Sequence, residues 1–214
     1  MRPQTHVPLS AILLIVGAVL CFTLLDATVK ALADRYPIPL LVWARYAVQL
    51  LVILLWLLPR MGVGLLRTPR FRLQFVRAAI LPLSSLCFFS ALRYLPLAEA
   101  TAINYATPVL VIILAVLFLG ERMTRPRIAL VLAGIAGMFL IVRPGSVVFQ
   151  GAALLALGSA VFYGAFQILT RTLAGEDSRV LLFYPALVGT LMMTALLPWL
   201  GIGFEMPWRD VVVI

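Results

Sequence analysis

Long apolar segments, separated by short stretches rich in arginine and proline, dominate the hydropathy pattern of this chain. Seven segments can be marked, at residues 7–25, 38–58, 78–92, 100–119, 128–142, 151–170 and 180–200. A membrane-spanning helix needs ~20 predominantly apolar residues, and a backbone in hydrocarbon must satisfy its own hydrogen bonds. The pattern therefore predicts an all-α membrane protein, a polytopic bundle of about seven transmembrane helices.

The composition supports a membrane protein over a soluble one. Hydrophobic residues make up 64% of the 214 positions and charged residues 12%. A soluble domain contains ~45–50% apolar residues, and a globule with more would expose large aggregating patches. A soluble enzyme, a secreted disulfide scaffold and a disordered tail are therefore excluded, and the lipid bilayer is the expected environment.

The basic residues indicate how the chain is oriented in the membrane. The formal net charge of +9 would suggest nucleic-acid binding in a soluble protein, but here the arginines fall between apolar segments. No nucleic-acid partner is therefore expected. With the N-terminus in the cytoplasm, eleven of the 17 Lys and Arg residues lie inside and five outside. The positive-inside rule thus predicts a multi-pass inner-membrane protein with a cytoplasmic N-terminus.

The sequence also contains an internal repeat. A shift of 141 residues aligns the start of the chain with its last third without gaps, and places Lys30 on Arg171. A repeat of this length contains five helices, so the second copy enters the membrane with the opposite orientation. We expect a first repeat at residues 7–143 and an incomplete second repeat, represented by its first two helices, at residues 150–214.

Residues 90–144, SALRYLPLAEATAINYATPVLVIILAVLFLGERMTRPRIALVLAGIAGMFLIVRP, carry a family resemblance. The matching elements are ALRYLPLAEA, a helix containing Pro108, the turn LGER, in which Gly120 is expected to end a helix, and a glycine-rich helix ending in Arg143 and Pro144. Together they resemble the end of the first EamA repeat in the drug/metabolite transporter superfamily. The stretch CFTLLDATVKAL also resembles a subset that carries S-adenosylmethionine or riboflavin.

That resemblance implies two inverted five-helix repeats, alternating access and movement of small metabolites. The favoured hypothesis is a secondary transporter of small organic metabolites or drugs. The alternative is a truncated, non-transporting product that inserts and associates with another membrane chain. A second copy of the chain is a candidate partner, because it would cover the inward polar face that the missing helices leave open.

Enzymatic and cofactor chemistry is not predicted. The single histidine, His6, precedes the first segment, which argues against haem, histidine metal clusters and Ser–His hydrolysis within the membrane. The chain has no GxxxxGK[ST] motif for ATP. An intramembrane enzyme using Glu99 or Asp26 is a weaker hypothesis, and we expect no catalytic residue, cofactor or metal site.

Arg45 is a candidate solute-binding residue. It lies seven residues inside the second segment, where a charge costs ~2.5–3.5 kcal/mol on insertion scales, and Gln49 follows one turn later. A guanidinium suits an anionic or carbonyl group, so both side chains are candidates for a substrate site. The alternatives are that Arg45 reaches outward to water or pairs with Asp26 or Glu99.

The fourth segment contains two further candidates. Pro108 lacks an amide proton and leaves the carbonyl of Asn104 without a helical partner, so we expect a helix break there with Asn104 facing a solute. An interhelical hydrogen bond is the alternative for Asn104. Glu99 opens the segment as a candidate coupling-proton carrier, although favourable interaction with the helix N-terminus is by itself a sufficient and the preferred explanation.

Polar residues recur every four positions in the sixth segment, at Ser159, Tyr163 and Gln167. This stripe is expected to face inward, because lipid offers no hydrogen-bond partners. Tyr163 and Gln167 are therefore candidate substrate-binding residues, with helix packing as the alternative. Asp26 and Lys30, four residues apart, are expected to form an ion pair at the end of the first segment.

Overall fold

The computed structural model describes residues 9–120, 124–141 and 147–203 together with Asp210. In these ranges the α-helices are α1 (Leu9–Leu32), α2 (Ile38–Met61), α3 (Phe71–Tyr94), α4 (Leu97–Asn104), α5 (Thr107–Leu119), α6 (Arg125–Ile141), α7 (Val147–Thr172) and α8 (Ser178–Trp199). A short 3-10 helix (Gly62–Leu66) follows α2. Glu121 and Arg122 of the LGER turn lie outside the described residues, as do Arg143 and Pro144.

The prediction of a polytopic helix bundle is confirmed. Within the described ranges, six spans are long and apolar enough to cross a membrane, with α4 and α5 together forming one of them (Leu97–Phe118). Helix α6 contributes a shorter apolar stretch (Ile128–Gly137). Large apolar side chains such as Leu14 on α1 and Phe118 on α5, each 75% exposed, cover the outside of the bundle. Such a surface is suited to lipid.

Two helices extend beyond the apolar segments that predicted them. Helix α1 continues to Leu32, which places Asp26 inside the helix. Helix α3 begins at Phe71, seven residues before the predicted start, and brings Arg77 into the bundle. The helices continue because one face of each added turn packs on neighbouring helices, where Lys30 and Arg77 find hydrogen-bond partners. At Gly120 α5 ends as predicted, with φ 66° in the left-handed region.

Helix α3 is the centre of the bundle, where its most extensive contacts are with α7 and α8. Helix α2 packs along α8, and the two approach closely at Gly189. A Cβ atom at Gly189 would lie 2.7 Å from ring atoms of Tyr46 and 3.1 Å from Pro82. The Tyr46 hydroxyl in turn forms a 2.9 Å hydrogen bond with Ser85 on α3. Gly189 therefore allows three helices to meet around one buried ring.

Hydrogen bonds at the helix ends fix the helix directions. The Nζ of Lys30, near the end of α1, donates to the carbonyls of Leu92 and Leu95 at the end of α3. The expected ion pair with Asp26 was wrong, because the ammonium group instead satisfies carbonyls that the α3 terminus leaves unpaired.

At the opposite end of the bundle, Arg70 just before α3 donates to the carbonyl of Thr172, the last residue of α7, at 2.8 Å. Helices α1 and α7 therefore run in opposite directions relative to α3. In an inverted repeat, the first helices of the two copies must run in opposite directions. The division into residues 7–143 and 150–214 itself stays a prediction.

We expect Gly189→Ala to lower the melting temperature of the detergent-purified protein. The new methyl group must displace the Tyr46 ring, and overpacking of this kind costs about 1–3 kcal/mol. Gly158→Ala in α7 is the matched control, because its nearest neighbour, the Sγ of Cys87, lies at 3.9 Å. Equal melting temperatures for both variants in a thermal unfolding assay would contradict the close contact at Gly189.

Candidate functional site

A cavity of about 370 Å³ lies among α1, α2, α3, α4 and α7. Its volume is within the range of ~300–1,000 Å³ that is common for small-molecule sites. The lining residues are Val19, Phe22, Thr23, Asp26, Arg45, Leu81, Ser84, Ser85, Phe88, Thr101, Asn104, Tyr105, Ser159 and Tyr163. On α3 and α7 these residues come from the middle of each helix, so the cavity lies about halfway along the bundle.

The break between α4 and α5 forms one wall of the cavity. Helix α4 ends at Asn104, and α5 begins at Thr107 with Pro108 as its second residue. The Thr107 hydroxyl donates to the Asn104 carbonyl at 2.7 Å, which provides the partner that the proline removes. The predicted helix break is therefore present, and Asn104 and Tyr105 at the break line the cavity.

Two side chains of opposite charge line the cavity, Asp26 from α1 and Arg45 from α2. The Arg45 guanidinium lies 5.6 Å from the ring centre of Phe89 and 5.8 Å from that of Tyr46. It is close enough to attract the Asp26 carboxylate electrostatically. Among the described residues, however, no ion pair within 4.0 Å joins the two groups. The cavity thus presents both charges without a direct bridge between them.

Hydroxyl groups join α3 to α7 where they line the cavity. Ser84 donates to the carbonyl of Ser159 at 3.0 Å, and the two hydroxyls lie 3.1 Å apart. Ser85 beside it bonds to the buried Tyr46 hydroxyl. Both serines and Ser159 are buried, so these hydrogen bonds fix the wall of the cavity while leaving its charged groups accessible.

Three of the predicted site residues lie together, and three lie elsewhere. Arg45, Asn104 and Tyr163 line the cavity, and their role in binding a solute stays a prediction. Gln49 and Gln167 do not line it, although both are partly buried. Each lies four residues beyond a lining residue, which moves a side chain ~6 Å along the axis and ~40° around it.

Glu99, the candidate proton carrier, also lies outside the cavity lining, in the first turn of α4. It lies two residues before Thr101, which does line the cavity, and so projects ~160° away around the helix. Because Glu99 lies in the first turn of α4, a favourable interaction with the helix N-terminus still accounts for an acidic residue at this position.

Several lining residues were missed by sequence reasoning. Asp26 was assigned to an ion pair with Lys30, and Ser84 and Ser85 were not considered. The sequence did contain an indication that the two serines are special, since two adjacent hydroxyl residues interrupt the middle of the third apolar segment. Asp26 was interpreted as an ion-pair partner of Lys30 or Arg45 and not as a lining residue, because its place in the lining depends on how α1 packs against the other helices.

A second polar cluster surrounds Arg77, which is 4% exposed. Its Nε donates to the Thr170 hydroxyl on α7 at 2.7 Å, and its Nη1 donates to the Leu181 carbonyl on α8 at 3.1 Å and to Gln74 at 3.2 Å. The guanidinium also lies 4.4 Å from the ring centre of Phe166. Arg77 therefore links α3, α7 and α8. It lies about one helical turn from Leu81, the nearest cavity-lining residue of α3.

Another cavity, of about 350 Å³, lies between α3 and α8. Its lining is entirely apolar: Leu83, Leu86, Met192, Met193, Ala195, Leu196 and Trp199. Because it offers no polar side chain to orient a solute, it is a poor candidate for a specific site. Within the described residues no group of three His, Cys, Asp or Glu side chains is suitably placed for a metal ion.

The sequence pattern of the EamA-like transporter family matches residues 9–143, more than half of the chain. The chain belongs to this family. EamA proteins are membrane transporters of small metabolites, and curated relatives of this chain carry such names. The family assignment made from the LGER and ALRYLPLAEA motifs is thereby confirmed.

Three relatives illustrate the range of solutes. The pseudopaline exporter of Pseudomonas aeruginosa is 32% identical over 206 residues, covering 95% of this chain and 68% of the exporter. The riboflavin transporter of Brucella anthropi is 29% identical and covers 73% of this chain and 55% of its own length. The S-adenosylmethionine uptake transporter of Rickettsia conorii is 25% identical, with coverages of 61% and 45%. This EamA chain thus spans about two-thirds or less of their length.

A solved crystal structure supports the same fold. It is 23% identical in sequence and superposes with a TM-score of 0.62 over 92% of this chain and 73% of its own. At this level of identity the similarity establishes the architecture of the helix bundle.

We expect a cysteine at position 104 to react with a small charged thiol reagent from the aqueous phase, because Asn104 borders the cavity. Ile103→Cys is the matched control, since the neighbouring Ile103 is buried in the apolar core. Both variants are made after replacing the native Cys21 and Cys87 by alanine, and modification is followed by mass spectrometry. Faster labelling at position 103 than at 104 would show that the cavity does not admit polar solutes.

Proposed function

We propose that this EamA protein is a secondary transporter that moves a small organic metabolite across the inner membrane by alternating access. The N-terminus is cytoplasmic in this proposal, as the distribution of arginines favours. The observation that supports this proposal is the cavity about halfway along the bundle, which combines Asp26, Arg45 and the Asn104 side chain at a helix break. Transporters built from inverted repeats commonly bind their solute at such discontinuous helices near the bilayer midplane.

The cluster around Arg77 provides a means of closing one side of the cavity. It lies towards the first residues of α3, the end that is cytoplasmic in the proposed orientation. Further hydrogen bonds at the same end link the α2–α3 connection to the second repeat, from Thr68 to Glu176 at 3.1 Å and from Tyr184 to the Leu66 carbonyl at 3.0 Å. We infer that these contacts hold the cytoplasmic side closed and separate when the transporter changes state.

The transport proposal is tested by flux of radiolabelled S-adenosylmethionine and riboflavin, the named solutes of two relatives, into liposomes containing the protein. We expect saturable accumulation of at least one solute. Arg45→Ala should raise its KM roughly tenfold or more, because hydrogen bonds to charged groups contribute ~1.5–3 kcal/mol. Asn104→Ala should raise KM less, and both variants should insert normally.

Arg60→Ala is the control for the flux experiment, because Arg60 is on the same helix as Arg45 but exposed beside Trp56. Unchanged KM in both cavity variants would remove Arg45 and Asn104 from the pathway. Flux no greater than in protein-free liposomes for every solute would instead favour the alternative, a membrane chain that inserts and associates without transporting.

The closure proposal predicts a separate phenotype for Arg77→Lys. A lysine keeps the charge but does not reproduce the planar, multiply bonded contact with Thr170 and the Leu181 carbonyl. We expect a lower maximal transport rate with KM little changed, because the cavity itself is intact. Arg72→Lys, at an exposed position of the same helix, should match the unmodified protein. An increased KM with a normal maximal rate would show that Arg77 contributes to binding and not to closure.

A further inference from the structure

The cluster around Arg77 contains two nitrogen groups that lack a hydrogen-bond acceptor within the described residues. One is the Nε2 of Gln74, whose side chain is fully buried. The Oε1 of the same amide accepts a hydrogen bond from Arg77 at 3.2 Å, which places Nε2 close to the guanidinium. The other is the Nη2 of Arg77, because the hydrogen bonds of this side chain come from Nε and Nη1. A buried donor without a partner is costly, so the cluster is suited to a further acceptor.

Arg77 also has no counter-ion among the described residues. Its neighbours are all neutral: the Thr170 hydroxyl, the Leu181 carbonyl, the Gln74 amide and the ring of Phe166. No carboxylate in the described ranges lies within 4.0 Å of its guanidinium. Neutral partners satisfy hydrogen bonds but leave the net positive charge, and a charge within the membrane is costly unless it is paired. The additional acceptor is therefore expected to be negatively charged.

The surroundings of the cluster favour an anion. At the end of the bundle where α3 begins, the described carboxylates are Glu176 and Asp177, and both have other partners. Glu176 accepts from the Thr68 hydroxyl, and Asp177 accepts from the backbone N–H of Arg179. Described arginines outnumber these carboxylates at the same end: Arg60, Arg67, Arg70, Arg72, Arg171 and Arg179. Such a surplus of positive charge raises the local concentration of anions.

We propose that Arg77 and Gln74 bind a small inorganic anion, and that chloride is the occupant. Arg77 supplies the positive charge and the Nη2 donors, and Gln74 supplies the Nε2 donors. The site is enclosed, since Arg77 is 4% exposed and Gln74 is fully buried. A monatomic anion suits this enclosure because it brings no attached group that must also be buried. Chloride also accepts hydrogen bonds from any direction, so the donors of two side chains can share it.

The anion site is distinct from the cavity that contains Arg45. Leu81, the nearest lining residue of α3, is four residues from Arg77 and thus about one helical turn away. Because Arg77 bonds to α7 and α8, an anion that compensates its charge stabilises the packing of these helices on α3. This effect does not require the cavity to bind a solute, so the inference is independent of the transport proposal.

A chloride titration tests the site on the purified full chain. Sodium chloride replaces sodium gluconate at constant sodium concentration and ionic strength, so that general screening is unchanged. We expect the melting temperature to rise saturably, by roughly 3–5 °C when chloride reaches about ten times its Kd. Bromide should produce the same rise, because it is also a monatomic anion. A buried water would satisfy the donors without any dependence on chloride.

Two variants of Gln74 assign the response to this site. Gln74→Glu places a tethered carboxylate beside Arg77, so it should raise the melting temperature in gluconate and abolish the response to chloride. Gln74→Leu removes the Nε2 donors and should raise the chloride concentration for half-maximal stabilisation roughly tenfold or more. Gln49→Glu and Gln49→Leu are the matched controls, because Gln49 is a partly buried glutamine on α2. Both controls should retain the chloride response of the unmodified protein.

Each result decides for or against the anion site. Equal melting temperatures of the unmodified protein in chloride and gluconate overturn the proposal. A chloride response that persists in both Gln74 variants also overturns it, because the ion then acts elsewhere. A response that is lost in the Gln74 variants and kept in the Gln49 controls supports the site. No transported solute is present in these measurements, so their outcome leaves the transport proposal to its own flux experiment.

Discussion

Lipid hydrocarbon offers no hydrogen bonds, so every polar group within this bundle depends on partners supplied by the protein. Most of the structure follows from how that requirement is met. Lys30 donates to carbonyls at the end of α3, and Arg77 donates to a hydroxyl and a carbonyl on α7 and α8. In each case a cation on one helix satisfies groups on another, which fixes both the helix directions and the packing around α3.

Two charged groups that are not satisfied in this way lie together. Asp26 and Arg45 lack direct hydrogen bonds among the described residues, and both face the cavity together with the side chain of Asn104. A bundle evolved for stability alone has little reason to retain two separated charges at mid-depth. Their arrangement is explained if a solute supplies the missing partners for part of the transport cycle.

The break between α4 and α5 shows how an interruption of the helix coincides with the cavity. Pro108 removes one backbone hydrogen bond, and Thr107 compensates for it within the turn. The interruption therefore opens the helix at the cavity without leaving an unpaired carbonyl in hydrocarbon. Nearby packing is close by contrast, since Gly189 brings α8 against the Tyr46 ring and the tyrosine hydroxyl is bonded to Ser85. An interrupted wall thus lies beside a closely packed one.

The sequence by itself determined the class of the protein, because apolar length, arginine distribution and the LGER and ALRYLPLAEA motifs are local properties. It also located the helix break at Pro108 and the helix end at Gly120, where the covalent structure of one residue decides the backbone conformation. Only the tertiary structure decided which polar residues meet. Periodicity shows that Arg45 and Gln49 share a face, as do Tyr163 and Gln167. The position of the cavity along the helices decides which one of each pair lines it. The burial of Arg77 and the recruitment of Asp26 likewise depend on contacts between distant segments, which no local pattern encodes.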